Sequence, residues 1–134
     1  MSRERALAGP ARHTAVIAAQ HAATRSSLLG VLSREAGYAA VAATDLRRAV
    51  RLLRMSAPDA ILVDRAILGD AGLRRLPMLA ALAPQAALLV VGMGEHAGYD
   101  RAARDAGGHG YLRLDLPPEH LAAAVAGAVS ARDH

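Results

Sequence analysis

"PDAILVDRAILGDAGL", residues 58–73, decides how the chain is read. The apolar run Ala60-Ile61-Leu62-Val63 stops abruptly at an aspartate and an arginine, and an apolar loop with a glycine follows. A short, continuous apolar run is the pattern of a strand buried on both faces of a parallel sheet. Its last residue is a carboxylate. Asp64 is therefore either a loop or capping residue of no further consequence, or the group that the strand exists to present.

Working outward, strand-like runs alternate with helix-period segments. "TAVIAA" (14–19) is a first strand, and "TRSSLLGVLSREAG" (24–37) a helix with Thr24 as N-cap and Gly37 as its stop. "YAAVAA" (38–43) is a second strand. Asp45 caps "LRRAVRLLRMS", where Leu46, Ala49, Val50 and Leu53 recur at helical spacing. After the strand 59–64 comes a helix over 71–84 that Pro77 kinks or interrupts. "AALLVVG" (86–92) and "GYLRL" (110–114) are the fourth and fifth strands, with a helix over 97–108 between them. Pro118 suits the first turn of a closing helix, "EHLAAAVAGAVSARD".

Five strands alternating with five helices through short loops predict an α/β fold. The architecture expected is a doubly wound, flavodoxin-like parallel sheet in the order 2-1-3-4-5, as one domain over residues 13–134. Residues 1–12 read as a flexible tail. In such a sheet the site lies at the carboxyl ends of the strands, near the switch between the first and third. Asp64 ends the third.

Composition excludes several classes. The chain has 134 residues, 53% hydrophobic and without cysteine, so it holds one real core and no disulfide or thiolate metal site. No apolar run approaches a membrane span, and "MSRERALAGPARH" lacks the apolar middle of a signal peptide, so a cytoplasmic protein is expected. The net charge is +4, and all 16 basic residues are arginine; there is no lysine.

With these elements in place, the chain resembles a bacterial response-regulator receiver domain from about Thr14 to Ser130. The resemblance rests on "PDAILVDRAILGDAGL", with Asp64 at the phosphoacceptor and Gly72 at the loop glycine, and on "REAGYAAVAATD" and "ARDAGGHGYL". It implies a magnesium site built from a pair of acidic residues after the first strand, a hydroxyl ending the fourth, and a lysine ending the fifth. Those positions fall on Gln20 and His21, on Gly92 and on Leu114. Neither Gln20 nor His21 supplies an anionic oxygen, and Gly92 has no hydroxyl. With no lysine in the chain, no shift of register replaces Leu114. A phosphoryl group needs a cation and positive charge around its oxygens. The resemblance therefore implies an atypical receiver: not an enzyme, with magnesium binding lost or weak, signalling through a protein partner independently of phosphorylation. Tyr111 takes the switch-aromatic position. Tyr111, Leu121 and Val125 mark an interface, and a homodimer through the 97–130 face is an option.

Other readings stay open beside this one. Asp64 could still accept phosphate in a phosphorelay, with Arg65 as countercharge, or simply bond to loop amides. The Gly92–Gly94 loop could cradle an anionic ligand on backbone amides, although one glycine pair is a weak signal. His21, Asp64 and His96 make a metal trio on paper without motif spacing. Arg47, Arg48, Arg51 and Arg54 share a helix face that suits a solvated surface or an acidic protein. Aromatics are 2% of the chain, which leaves little for stacking bases, so nucleic acid is not expected as a partner of this domain.

Overall fold

The apolar runs do become strands: β1 (Thr14–Ala18), β2 (Ala39–Ala43), β3 (Ala60–Asp64), β4 (Ala87–Gly92) and β5 (Gly110–Arg113). All pair in parallel, in the order β2-β1-β3-β4-β5. The structure is a computed structural model and describes residues 13–132, so the expected tail over 1–12 lies outside the described residues. β3 and β4 are buried at every position, because helices cover both faces of the central strands. Register sets Val16 beside Ile61 and Ile61 beside Leu88, so matched apolar side chains form layers on each face.

The helices are α1 (Ala22–Glu35), α2 (Leu46–Met55), α3 (Arg65–Leu68), α4 (Leu76–Leu82), α5 (Tyr99–Asp105) and α6 (Pro118–Ala131), with a 3-10 segment at Gly69–Arg75. On one face of the sheet, Leu28 and Leu32 of α1 and Leu121, Val125 and Val129 of α6 pack over Ile17, Leu62 and Leu89. On the other, Leu53 of α2, Leu68 of α3 and Leu76 and Leu79 of α4 pack over Val16, Ile61 and Val90. Each such side chain, fully buried, contributes about 1.5–3 kcal/mol relative to exposure. α2 is capped as its sequence requires: the Asp45 carboxylate accepts the Arg48 N–H at 2.8 Å.

Three elements differ from the expectation. α1 starts at Ala22 with His21 in the capping position, so Thr24 lies inside the helix. Tyr38 is buried but precedes β2; its N–H bonds to the Leu32 carbonyl and helps close α1. The single helix expected over 71–84 is broken up. Gly69 and Gly72 take positive φ of 67° and 55°, which interrupts regular winding, and Pro77 sits in the first turn of α4 rather than kinking a longer helix.

The two sheet edges are unlike. On β5 the Tyr111 N–H is already taken by the Asp100 carboxylate at 2.9 Å. On β2 the outer edge is the sequence AAVAA, with Val41 52% exposed.

Candidate functional site

Asp64 ends β3 opposite Val91 of β4, at the carboxyl edge of the sheet. It is 8% exposed, the one buried charged side chain among the described residues. Its Oδ1 accepts the Ala66 N–H at 3.1 Å and so caps the single turn of α3. Asp64 thus ends the strand at the carboxyl edge of the sheet, and the Ala66 amide bonds to it there, as the capping reading has it. His21 and Arg65 are not among its hydrogen-bond partners.

Around it stand the positions read from the sequence. Gln20 and His21 follow β1, both exposed. The carbonyls of Ala19 and Gln20 accept the same guanidinium nitrogen, Arg25 Nη1, at 3.0 and 2.9 Å. A cation thus already sits on the oxygens at the end of β1. Leu114 is half-buried and packs down onto the core. With Met93, Leu28 and the start of α1 it lines a cleft of about 180 Å³. Where the resemblance implies a lysine, the wall is apolar.

Gly92 ends β4 and is buried. A Cβ added there would lie 2.8 Å from Tyr111 Oη and 3.0 Å from Arg65 Cδ. Two side chains therefore fill the space that any larger residue at 92 would need. Tyr111 turns inward, and its hydroxyl donates to the Gly94 carbonyl at 2.9 Å and to that of Met93 at 3.3 Å. Burial raises its pKa against the opposing pull of Arg65, so the phenol stays a donor. Its ring meets Tyr99 edge-on at 5.0 Å and His96 at 5.8 Å. Arg65 runs from the end of β3 across Gly92, lays its guanidinium 4.7 Å from the Tyr99 ring centroid, and reaches His96 Nε2 at 2.7 Å.

The glycine loop carries its own anion. Arg113 donates to Asp115 at 2.7 Å and approaches Glu95 at 3.7 Å. The Asp115 carboxyl is held below its ordinary pKa first by Arg113 and, among lesser causes, by the Gly94 amide. The backbone group that could cradle a ligand in the Gly92–Gly94 loop therefore already faces a carboxylate of the same chain.

The structure gathers Asp64, Gly92 and Tyr111 into one neighbourhood but does not assemble the metal trio. Among the described residues no three His, Asp or Glu side chains converge as a metal would require, His21, Asp64 and His96 included. Leu121 and Val125 need correcting as surface contacts. They are 3% and 1% exposed, because they form the sheet-facing side of α6. The outer side is the small-residue row Ala124, Gly127 and Ala131, which walls a groove of about 280 Å³ over β5 with Asp100 and Arg104 of α5. Sequence reasoning missed Arg25, and it missed the joint role of His96 and Tyr99. Those contacts join helix residues to the ends of other elements, which no local pattern in the sequence marks.

A five-stranded parallel sheet in this order, with an aspartate at the end of β3 and an inward aromatic on β5, is the flavodoxin-like, CheY-like fold. The response regulator receiver domain profile matches residues 15–126, and the chain belongs to that family, the signal-transduction domains of two-component systems. Among solved structures it is similar to a two-component response regulator of the LuxR family from Aurantimonas sp. SI85-9A1. The two are 25% identical, with 91% of this chain and 88% of that one covered and a TM-score of 0.79. A response regulator from Thermotoga maritima shares the fold at 18% identity, covering 90% of this chain and 99% of its own, with a TM-score of 0.79. So does one from Burkholderia pseudomallei, solved with a phosphorylated aspartic acid, calcium ion and citrate: 24% identity, 90% and 71% covered, TM-score 0.75. Among curated protein sequences, none matches this one. Among the described residues, no helix is long and apolar enough to cross a membrane.

Proposed function

We propose that this receiver works without phosphoryl transfer, as a cytoplasmic protein-docking module and not an enzyme, with Tyr111 held permanently inward. The observation that carries the reading is the contact at Gly92. In a phosphorylated receiver a hydroxyl at this position is drawn to the phosphoryl group and the aromatic follows. Here no hydroxyl exists, and Tyr111 and Arg65 already occupy the space, 2.8 and 3.0 Å from where a Cβ would be. An equilibrium can be biased only by a ligand that distinguishes its two states, and a phosphoryl group on Asp64 has nothing at position 92 to pull.

Magnesium has no place in this reading. Its ligands are hard, mostly anionic oxygens in octahedral array. The end of β1 offers an amide, an imidazole and two carbonyls that accept Arg25. The surface displayed to a partner is built by α5, β5 and the outer face of α6, where the groove beside Ala124 and Gly127 also suits a second copy of the chain. Mass spectrometry after incubation with a small acyl phosphate and magnesium tests the reading. The expected result is no phosphoryl adduct, and an adduct on Asp64 overturns it.

A further inference from the structure

His96 stands in the loop between β4 and α5 with one ring nitrogen facing two partners of opposite demand. Its Nε2 lies 2.7 Å from Arg65 Nη1, which can only donate, and 3.0 Å from the Met93 carbonyl, which can only accept. The role of Nε2 depends on the tautomer: a neutral ring carrying its proton on Nδ1 leaves Nε2 bare to accept the Arg65 hydrogen bond, whereas the neutral Nε2–H ring donates to Met93. A protonated ring donates from Nε2 to Met93 instead, and meets the guanidinium as N–H against N–H and cation against cation. One nitrogen cannot serve both partners at once.

We propose that His96 is a proton-operated latch on Arg65, closed in the neutral Nδ1–H tautomer that the 2.7 Å contact favours and opened when the imidazole is protonated. The proposal rests on the reading above and supplies its regulation: a proton acts where a phosphoryl group acts in other receivers. The surroundings favour release. His96 faces Arg65 from the β3–α3 junction, Tyr99 from α5 with ring centroids 6.3 Å apart, and Tyr111 from β5 at 5.8 Å. Neighbouring Glu95 approaches Arg113, as does Asp115, and Asp64 is bonded to the Ala66 amide. Among the described residues no carboxylate pairs with His96 to hold an imidazolium beside a guanidinium.

Opening has a path to the docking face. Arg65 leaves its contact with the Tyr99 ring and vacates part of the space beside Gly92. The Met93 carbonyl, shared with the Tyr111 hydroxyl at 3.3 Å, gains a second donor. Tyr111 keeps its bond to Gly94, so the ring loosens without being expelled.

Nuclear magnetic resonance across about pH 5–8, where histidines titrate, reads the latch in the intact chain. The Arg65 side-chain Nε–H signal should move along the His96 titration curve with the same midpoint, and its protection relative to the intrinsic, base-catalysed exchange rate should fall on the acid side. In His96→Gln, whose side-chain carbonyl can accept from Arg65 at every pH, the Arg65 signal should stay fixed. In Arg65→Gln, His96 should still titrate while the Tyr99 ring signals follow it less. A flat Arg65 signal in the unmodified protein while His96 titrates overturns the latch, as does an Arg65 titration that persists in His96→Gln. Neither result depends on partner binding, so failure of the latch and failure of the docking reading are separately visible.

Discussion

A serine at position 92 would carry its Cβ into Tyr111 Oη and Arg65 Cδ, 2.8 and 3.0 Å away. Overfilling a packed site costs about 1–3 kcal/mol, and here the strain has an exit, because Tyr111 is half-buried and can turn outward. Gly92→Ser is therefore expected to release the Tyr111 ring from Tyr99 and His96. The ring's chemical shifts would report it, and an unmoved ring would mean that packing elsewhere holds Tyr111. Asp64 gives a second test at this scale. Its carboxylate serves the Ala66 amide, and an asparagine retains an oxygen for that bond. Urea denaturation should find Asp64→Asn close to the parent, within about 0.5 kcal/mol, and Asp64→Ala weaker by about 1 kcal/mol, the usual value of a lost N-cap. A large loss in Asp64→Asn would show that the negative charge itself is used in the folded chain.

At the scale of elements, α6 is clipped back to the sheet by an ion pair. Arg132, just past its end, donates to the Asp59 carboxylate at 2.8 Å, and the other Asp59 oxygen accepts the Thr14 N–H at 2.8 Å. Burial alone would raise the Asp59 pKa, but Arg132 and the Thr14 amide together hold it below the ordinary 3.8. A carboxyl lowered on folding adds stability above its unfolded pKa and loses it as pH falls through the folded one. Melting temperature should therefore drop with acid below the ordinary carboxyl value of 3.8, and Asp59→Asn should flatten that part of the profile. An unchanged profile in the variant would assign the acid sensitivity to other carboxylates. The five strands and the Asp45 cap were legible because continuous apolar runs and a cap before an amphipathic helix are local signals. The third crossover was not. Its breaks come from two glycines at positive φ and from Leu76 and Leu79 being drawn into the core beneath them, which is a tertiary demand. At the site, the residue types at positions 20, 21, 92 and 114 could be read from the sequence. The reach of Arg65 over Gly92 to His96 could not, since it depends on how three loops meet.

For the molecule as a whole, two substitutions in the candidate site should rank differently. Tyr111→Ala is expected to weaken association with a partner or a second copy, and Asp64→Asn to leave it nearly unchanged, as measured by sedimentation or pull-down. The reverse order would return control to the aspartate. Sheet edges set a further property. An exposed edge is a template for another strand, and a sheet with two such edges can add copies without end. In this chain the Asp100 carboxylate takes the Tyr111 amide on the β5 side, while among the described residues the AAVAA side carries no such side-chain stopper. Growth by strand addition then has a single tip per molecule. Two tips that meet occupy each other, so misassembly through this edge alone is expected to stop at a pair.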